Sequence, residues 1–199
     1  TYGGFGNYIT DFSKYFHKVI LVAHVNDKKP PSGYYEINIP NIEIISLPVI
    51  KKDWQIFTKL YSYFRIASKH IHKMDIIQAR MPDVTGLVGA YFARKHNIPL
   101  FNVIIDDWKI QADNVKWYSN YGLGVGLKIY LRVYDYFEKY FCKGEIVLAQ
   151  GHSCYEKHKN SAKECHLILS ASHQSSDVIS KPTPKFCGEN ITLLNYFLF

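Results

Sequence analysis

Long apolar runs are what this 199-residue chain lacks. None reaches the ~18 residues that a helix needs to span a bilayer, so no transmembrane segment is expected. Cysteine is sparse, with Cys142, Cys154, Cys165 and Cys187 making four. They form no C-x-x-C pair and no dense small-scaffold spacing, which favours free thiols in a reducing compartment over a disulfide framework. His152, Cys154 and His158 lie close in sequence, but zinc-type spacing and a second cluster are both missing, and no metal is expected. No RNP, helix-turn-helix or zinc-finger pattern is present, so nucleic acid is not an expected partner. Neither an intact G-x-G-x-x-G nor the G-K-[ST] of a P-loop occurs, which argues against a nicotinamide enzyme or a P-loop NTPase. There is no signal-peptide pattern, no internal repeat and no low-complexity tract. Thr1 is not an initiator methionine, and the true start is expected to lie upstream.

What is present is a globular composition, 47% hydrophobic and 21% charged. The net charge of +7 favours anionic partners. It is uneven: Lys51, Lys52, Lys59, Arg65, Lys69 and Lys73 face a single acid, Asp53, across one stretch. Short β-rich runs alternate with longer helical ones, the pattern of an α/β, Rossmann-like parallel sheet with helices on both faces. Strands are predicted at Lys18–Val25, Ile42–Leu47, Asp75–Gln78, Leu100–Ile105, Glu145–Ala149 and His166–Leu169. Helices are predicted over Tyr8–Phe16, Trp54–Ile71, Val84–His96 and Leu127–Phe141. In the second of these, Trp54, Phe57, Tyr61, Phe64 and Ile71 fall at helical steps, which predicts that this face meets the sheet and the basic residues lie outside. The aromatic stripe of Leu127–Phe141 is likewise expected to be core.

Four loops carry candidate chemistry. Tyr2–Asn7 (YGGFGN) precedes the first helix, and a glycine-rich loop there offers backbone N–H groups and a positive dipole end to a phosphate. Ile9 stands where a third fingerprint glycine would be, and a plain tight turn fits equally well. Arg80 closes the Asp75 strand, at the carboxyl edge where ligands of open α/β sheets bind. Its guanidinium suits a phosphate or carboxylate, or else a structural ion pair with Asp83 or Asp106. Asp106 and Asp107 close the Leu100 strand and could supply a general base for a sugar hydroxyl, with Trp108 as a platform for a sugar face. They could instead cap the next segment or contribute to a metal site. Gln150 and His152 close the Glu145 strand, where His152 is either an acid–base group or a bystander.

Taken in order, the Gly-Gly loop, DIIQARMP, KHNIPLFNVIIDDWK and GEIVLAQGHSCYEKHK resemble the N-terminal domain of family-four (group 1) glycosyltransferases, especially bacterial enzymes of surface-polysaccharide synthesis. Arg80-Met81-Pro82, Pro99–Trp108 and Gly144–Gly151 match the family's R-x-P, strand-D-p-W and strand-T segments. The resemblance implies a GT-B enzyme: two Rossmann-like domains across a cleft, no metal, and a nucleotide-sugar donor as substrate rather than a bound cofactor. It implies that Gly3, Gly4, Gly6 and the adjoining Asn7 lie near the donor diphosphate. It further implies that the loops carrying Arg80, Asp106–Trp108 and Gln150–His152 face a polysaccharide or lipid-linked acceptor. Many relatives act on lipid-linked acceptors at the cytoplasmic face, and the basic stretch 51–73 would then touch anionic lipid.

The domain organisation expected is an acceptor-side domain over 1–179, a linker over 180–190 (SKPTPKFCGEN, counting from Ser180), and over 191–199 (ITLLNYFLF) the first strand of a second domain. The Asn190-Ile191-Thr192 sequon is discounted because it runs into that strand. The family's first strand, ahead of the Gly-Gly loop, and its E-x7-E motif do not occur in these residues. The alternative is therefore a catalytically inactive fragment or a non-enzymatic binding domain.

Overall fold

The computed structural model describes residues 3–25, 37–50, 55–108, 110 and 123–168. The expected linker and terminal strand, Lys51–Trp54, Cys187 and the sequon lie outside these residues. In chain order the elements are α1 (Gly3–Ser13), β1 (Val19–His24), β2 (Ile42–Leu47), α2 (Gln55–His70) with a 3₁₀ turn at Ile71–Lys73, β3 (Ile77–Met81) and α3 (Val84–Lys95). There follow β4 (Leu100–Ile104), α4 (Leu123–Cys142), β5 (Ile146–Gln150), α5 (His152–His158) and β6 (Glu164–Ile168).

All strand pairs are parallel, as the alternation of short apolar runs and helices requires. The expected α/β architecture is borne out, with the strands divided between two sheets. One holds β1-β2 and the other β3-β4-β5-β6. Helices cover both faces of the larger sheet. Adjacent residues of a strand point to opposite faces, and in β4 the Phe101 ring lies 6.3 Å from Phe12 of α1. Its neighbour Asn102, fully buried, donates from Nδ2 to the Phe141 carbonyl of α4 at 3.1 Å.

The larger sheet's core is Ala79, Met81, Leu100, Ile104, Val147 and Ala149, closed by Ala90, Ala93, Phe141, Cys142 and Cys154 from the helices. A second cluster, Leu47, Tyr63, Ile71, Val88 and Phe92, ties β2 to α3 through α2. Helix α3 starts where Asp83 Oδ1 accepts from the Thr85 amide at 2.7 Å, satisfying a donor with no partner inside the helix. It ends at His96, and Asn97 follows at φ 56, a left-handed conformation that asparagine tolerates. Gly86 packs so closely on β3 that a Cβ there would stand 2.1 Å from the Arg80 carbonyl oxygen.

Three expectations are corrected. The glycine-rich segment from Gly3 is the first turn of α1 rather than a loop ahead of it. Ile9 and Phe12, one helical turn on, pack inward and anchor α1 in spite of the glycines' weak propensity. Helix α2 turns Ile56, Leu60, Tyr63 and Ala67 to the core, while Phe57 and Tyr61 stand 61% and 78% exposed. Phe64 and Ile71 of the expected face do reach this core, and only at Phe57 and Tyr61 does the neighbouring register, Ile56 and Leu60, take the inward position instead. The α4 aromatics also divide: Tyr134 and Phe141 are buried, whereas Tyr136, Phe137 and Tyr140 face outward.

Candidate functional site

Because the strands are parallel, their carboxyl ends share one edge. Register sets Arg80 opposite Val103, Ile104 opposite Ala149 and Gln150 opposite Ile168. Arg80, Asp106–Trp108 and Gln150–His152 therefore emerge from three successive strands along the same rim. Helix α1 ends just before β1 begins, so its glycine-rich start lies toward that rim as well. Tyr8 joins it to the sheet, its hydroxyl donating to Gln78 Oε1 at 3.1 Å. Gly6 is buried and Asn7 half-buried beside it.

Loss of solvation by partial burial lowers the Arg80 guanidinium from its ordinary value, while Tyr8 and Asp83 nearby act to raise it. Burial raises the Tyr8 phenol, and the Gln78 hydrogen bond and the Arg80 charge offset part of that rise. The two aspartates differ. Asp106 Oδ1 accepts from the Asp107 amide at 2.8 Å. Burial lifts the Asp106 carboxyl above its ordinary value; the Asp107 amide pulls it partly back and the Asp107 charge adds to the rise. That is the direction a general base needs.

Asp107 points inward. Its Oδ2 lies 3.5 Å from Lys157 Nζ, and its Oδ1 accepts from the Ile110 amide at 3.4 Å. Lys157 also stands 2.6 Å from Asp135 Oδ1 and 2.7 Å from Glu138 Oε1, and Glu138 meets the fully buried His158 Nε2 at 3.2 Å. This ion cluster joins the β4 rim, α4 and α5. Burial alone depresses the Lys157 ammonium, but Glu138, Asp135 and Asp107 reverse this and hold it above its ordinary value. Sequence reading missed the cluster; the (i, i+3) pair Asp135/Glu138 was its one local signal, since one helical turn sets both acids on one side.

Burial raises Asp135 as well, but hydrogen bonds from Lys139 and Lys157 outweigh it and leave the carboxyl below its ordinary value. A carboxylate depressed in the folded state contributes stability above its unfolded pKa of about 4, and that stability is lost as pH falls through the lower folded value. Urea unfolding at about pH 5 and about pH 3 is therefore expected to show acid destabilisation that Asp135→Asn reduces. An unchanged pH slope in the variant would remove Asp135 from that account.

Trp108 packs on Tyr134 with ring centroids 5.4 Å apart. The Tyr134 hydroxyl accepts from the Asp83 amide at 2.8 Å, so the Trp108 ring and the β3–α3 turn share one support. His152 opens α5 after Gly151, whose φ of +85 suits glycine. The imidazole is at the surface, 3.8 Å from Glu156 Oε1. The trio His152, Cys154 and His158 does not converge, for Cys154 lies in the apolar core and His158 faces Glu138.

A cavity of about 690 Å³ opens beside this rim, between β1 and β3. Every residue from Lys18 to His24 lines it, as do Met74–Gln78 and Arg80. A strand shows a face only alternate residues, so consecutive lining means that the hydrogen-bonding edges of both strands border the gap. Among the described residues β1 pairs with β2 and β3 with β4, which leaves these edges unladdered. Tyr63 Oη and His70 Nδ1, from residues that also line the cavity, are buried atoms without a hydrogen-bond partner.

Set against protein-family models, curated proteins and solved structures, the chain matches none of them.

Proposed function

We propose that this chain is the acceptor-side half of a GT-B glycosyltransferase, which moves a sugar from a nucleotide-sugar donor to a polysaccharide or lipid-linked acceptor without a metal. The observation that carries the reading is the convergence of Arg80, Asp106–Trp108 and Gln150–His152 on one carboxyl rim, with the start of α1 directed toward it. In open α/β sheets that rim is where ligands bind.

Asp106 is assigned the general base, ahead of Asp107. Its carboxyl is only partly buried and is raised, whereas Asp107 is held inward against Lys157. Trp108 offers a flat apolar surface to a sugar ring, and Arg80 a cation to a phosphate. The first-turn amides of α1 at Gly3 and Gly4 lie where a helix leaves its N–H groups without partners of its own and suit a diphosphate, with Gly6 one turn behind them. Most donor contacts are assigned to a second domain.

Titration of the chain with bacterial surface oligosaccharides is expected to perturb tryptophan fluorescence, and Trp108→Ala is expected to weaken binding about ten-fold. In calorimetry, UDP- and GDP-sugars are expected to bind this half only weakly. Tight donor binding would contradict the acceptor-side assignment, and binding of no glycan at all would sink the proposal.

A further inference from the structure

The gap between β1 and β3 has the hydrogen-bonding edges, the size and the walls of a site for a strand. In a parallel ladder a residue turns its N–H and C=O to the same side, and the sides alternate along the chain. The Val19 amide donates to the Asn41 carbonyl beside β2 at 2.8 Å. Val19, Leu21 and Ala23 therefore face β2, while Ile20 and Val22 turn their backbone groups toward the gap. On the other flank the Ile77 amide donates to the Pro99 carbonyl at 2.9 Å, and the Met81 carbonyl accepts from the Ile105 amide at 2.8 Å. Ile77, Ala79 and Met81 thus face β4, and Gln78 turns toward the gap.

The volume agrees with one strand. About five extended residues, at ~3.3 Å each, fill roughly 800 Å³ when the strand spacing is ~4.8 Å and the covering layers stand ~10 Å apart. The cavity measures about 690 Å³, enough for one such strand with side chains of modest size. Both of its faces are walled. Phe12 of α1 lies on the face of Gln78 and Phe101, and Tyr63 and Phe92 of the α2–α3 cluster lie on the other. A strand buried on both faces is apolar at nearly every position.

We propose that this seam receives one extended, apolar strand of a partner polypeptide, which ladders to β1 and β3 together and joins the two sheets. Backbone edges decide the chemical class. A lipid chain of the same volume would cover the apolar walls but leave the flanking N–H and C=O groups without partners, at a cost for each. Tyr63 Oη and His70 Nδ1, buried on the walls without a hydrogen-bond partner, add to that count. The chain's own apolar run, Ile191–Phe199, fits less well, since Tyr196, Phe197 and Phe199 bring three aromatic rings to a gap sized for smaller side chains. The inference does not rest on sugar transfer.

The test is fluorescence anisotropy of the full chain with the peptide acetyl-Val-Ile-Val-Thr-Val-Val-Lys-Lys, labelled at its last lysine. Saturable binding is expected. The same peptide N-methylated at three alternate residues should bind about a hundred-fold more weakly, about five-fold for each lost amide donor, with the protein itself untouched. On the protein side, Val22→Pro removes a donor from the gap and spares the ladder to β2, so circular dichroism should match the parent while binding falls at least ten-fold. Absence of binding, or equal binding of the methylated peptide, would overturn the proposal. So would binding that appears only when the full chain carries Leu194→Lys with Phe197→Lys, which would give the seam to Ile191–Phe199.

Discussion

Gly86→Ala is expected to destabilise the protein by about 3 kcal/mol, the upper end for an overpacked site. The added Cβ would stand 2.1 Å from the Arg80 carbonyl oxygen and 2.9 Å from its carbon. Both are backbone atoms of β3, held by pairing with β4, so no side chain can swing away to relieve the clash. The helix must lift off the sheet instead, loosening the contacts of Val88, Ala90 and Phe92 behind it. Thermal unfolding should show the midpoint falling by about 10 °C for a chain of this size. Gly126→Ala is the control, because a Cβ there meets nothing within 4 Å. A Gly86→Ala midpoint within a degree or two of the parent would show that the strand and helix are not held this close.

Lys157→Met is expected to cost about 3–5 kcal/mol, the penalty for removing one partner from a buried ion cluster. Three carboxylates share the ammonium, and those of Asp107, Asp135 and Glu138 are all largely shielded from water. Methionine keeps much of the stem's volume, so the loss reports charge rather than a cavity. The abandoned acids would relieve their repulsion by taking up protons, so the deficit should shrink as pH falls into the carboxylate range. Lys139→Met provides the contrast. Its ammonium is half exposed in the 2.8 Å pair with Asp135, and removal should cost no more than about 1 kcal/mol. Equal losses in the two variants, measured by urea unfolding, would refute the ranking.

All six strands were legible as apolar runs, and β2 has the expected bounds. β3 begins at Ile77 rather than Asp75, because strand limits follow pairing with Leu100–Ile104 and not hydrophobicity alone. The seven residues of α5 escaped notice: HSCYEKH is too short and polar to show a period, and only Gly151 before it marked a break. On α2 and α4 the existence of the helices was plain and their orientation was not. Two apolar sets shared each helix, and only packing against α3 and the sheet decided which turned inward. Of the candidate site, the three rim loops followed from strand order. The separation of Asp106 from Asp107 did not, since it depends on Lys157, fifty residues further along the chain.

The unladdered seam between β1 and β3 has a consequence for how the molecule comes apart. In a continuous parallel sheet each strand is braced from both sides, and opening one strand disturbs its neighbours. Among the described residues β1 and β2 share no ladder with β3–β6, and side chains of α1 and α2 pack between the two groups. Cooperative units tend to follow such boundaries. The β1–β2 pair can therefore open as a unit of its own, its amides trading hydrogen for deuterium well before those of β4 and β5, while the four-stranded body stays closed.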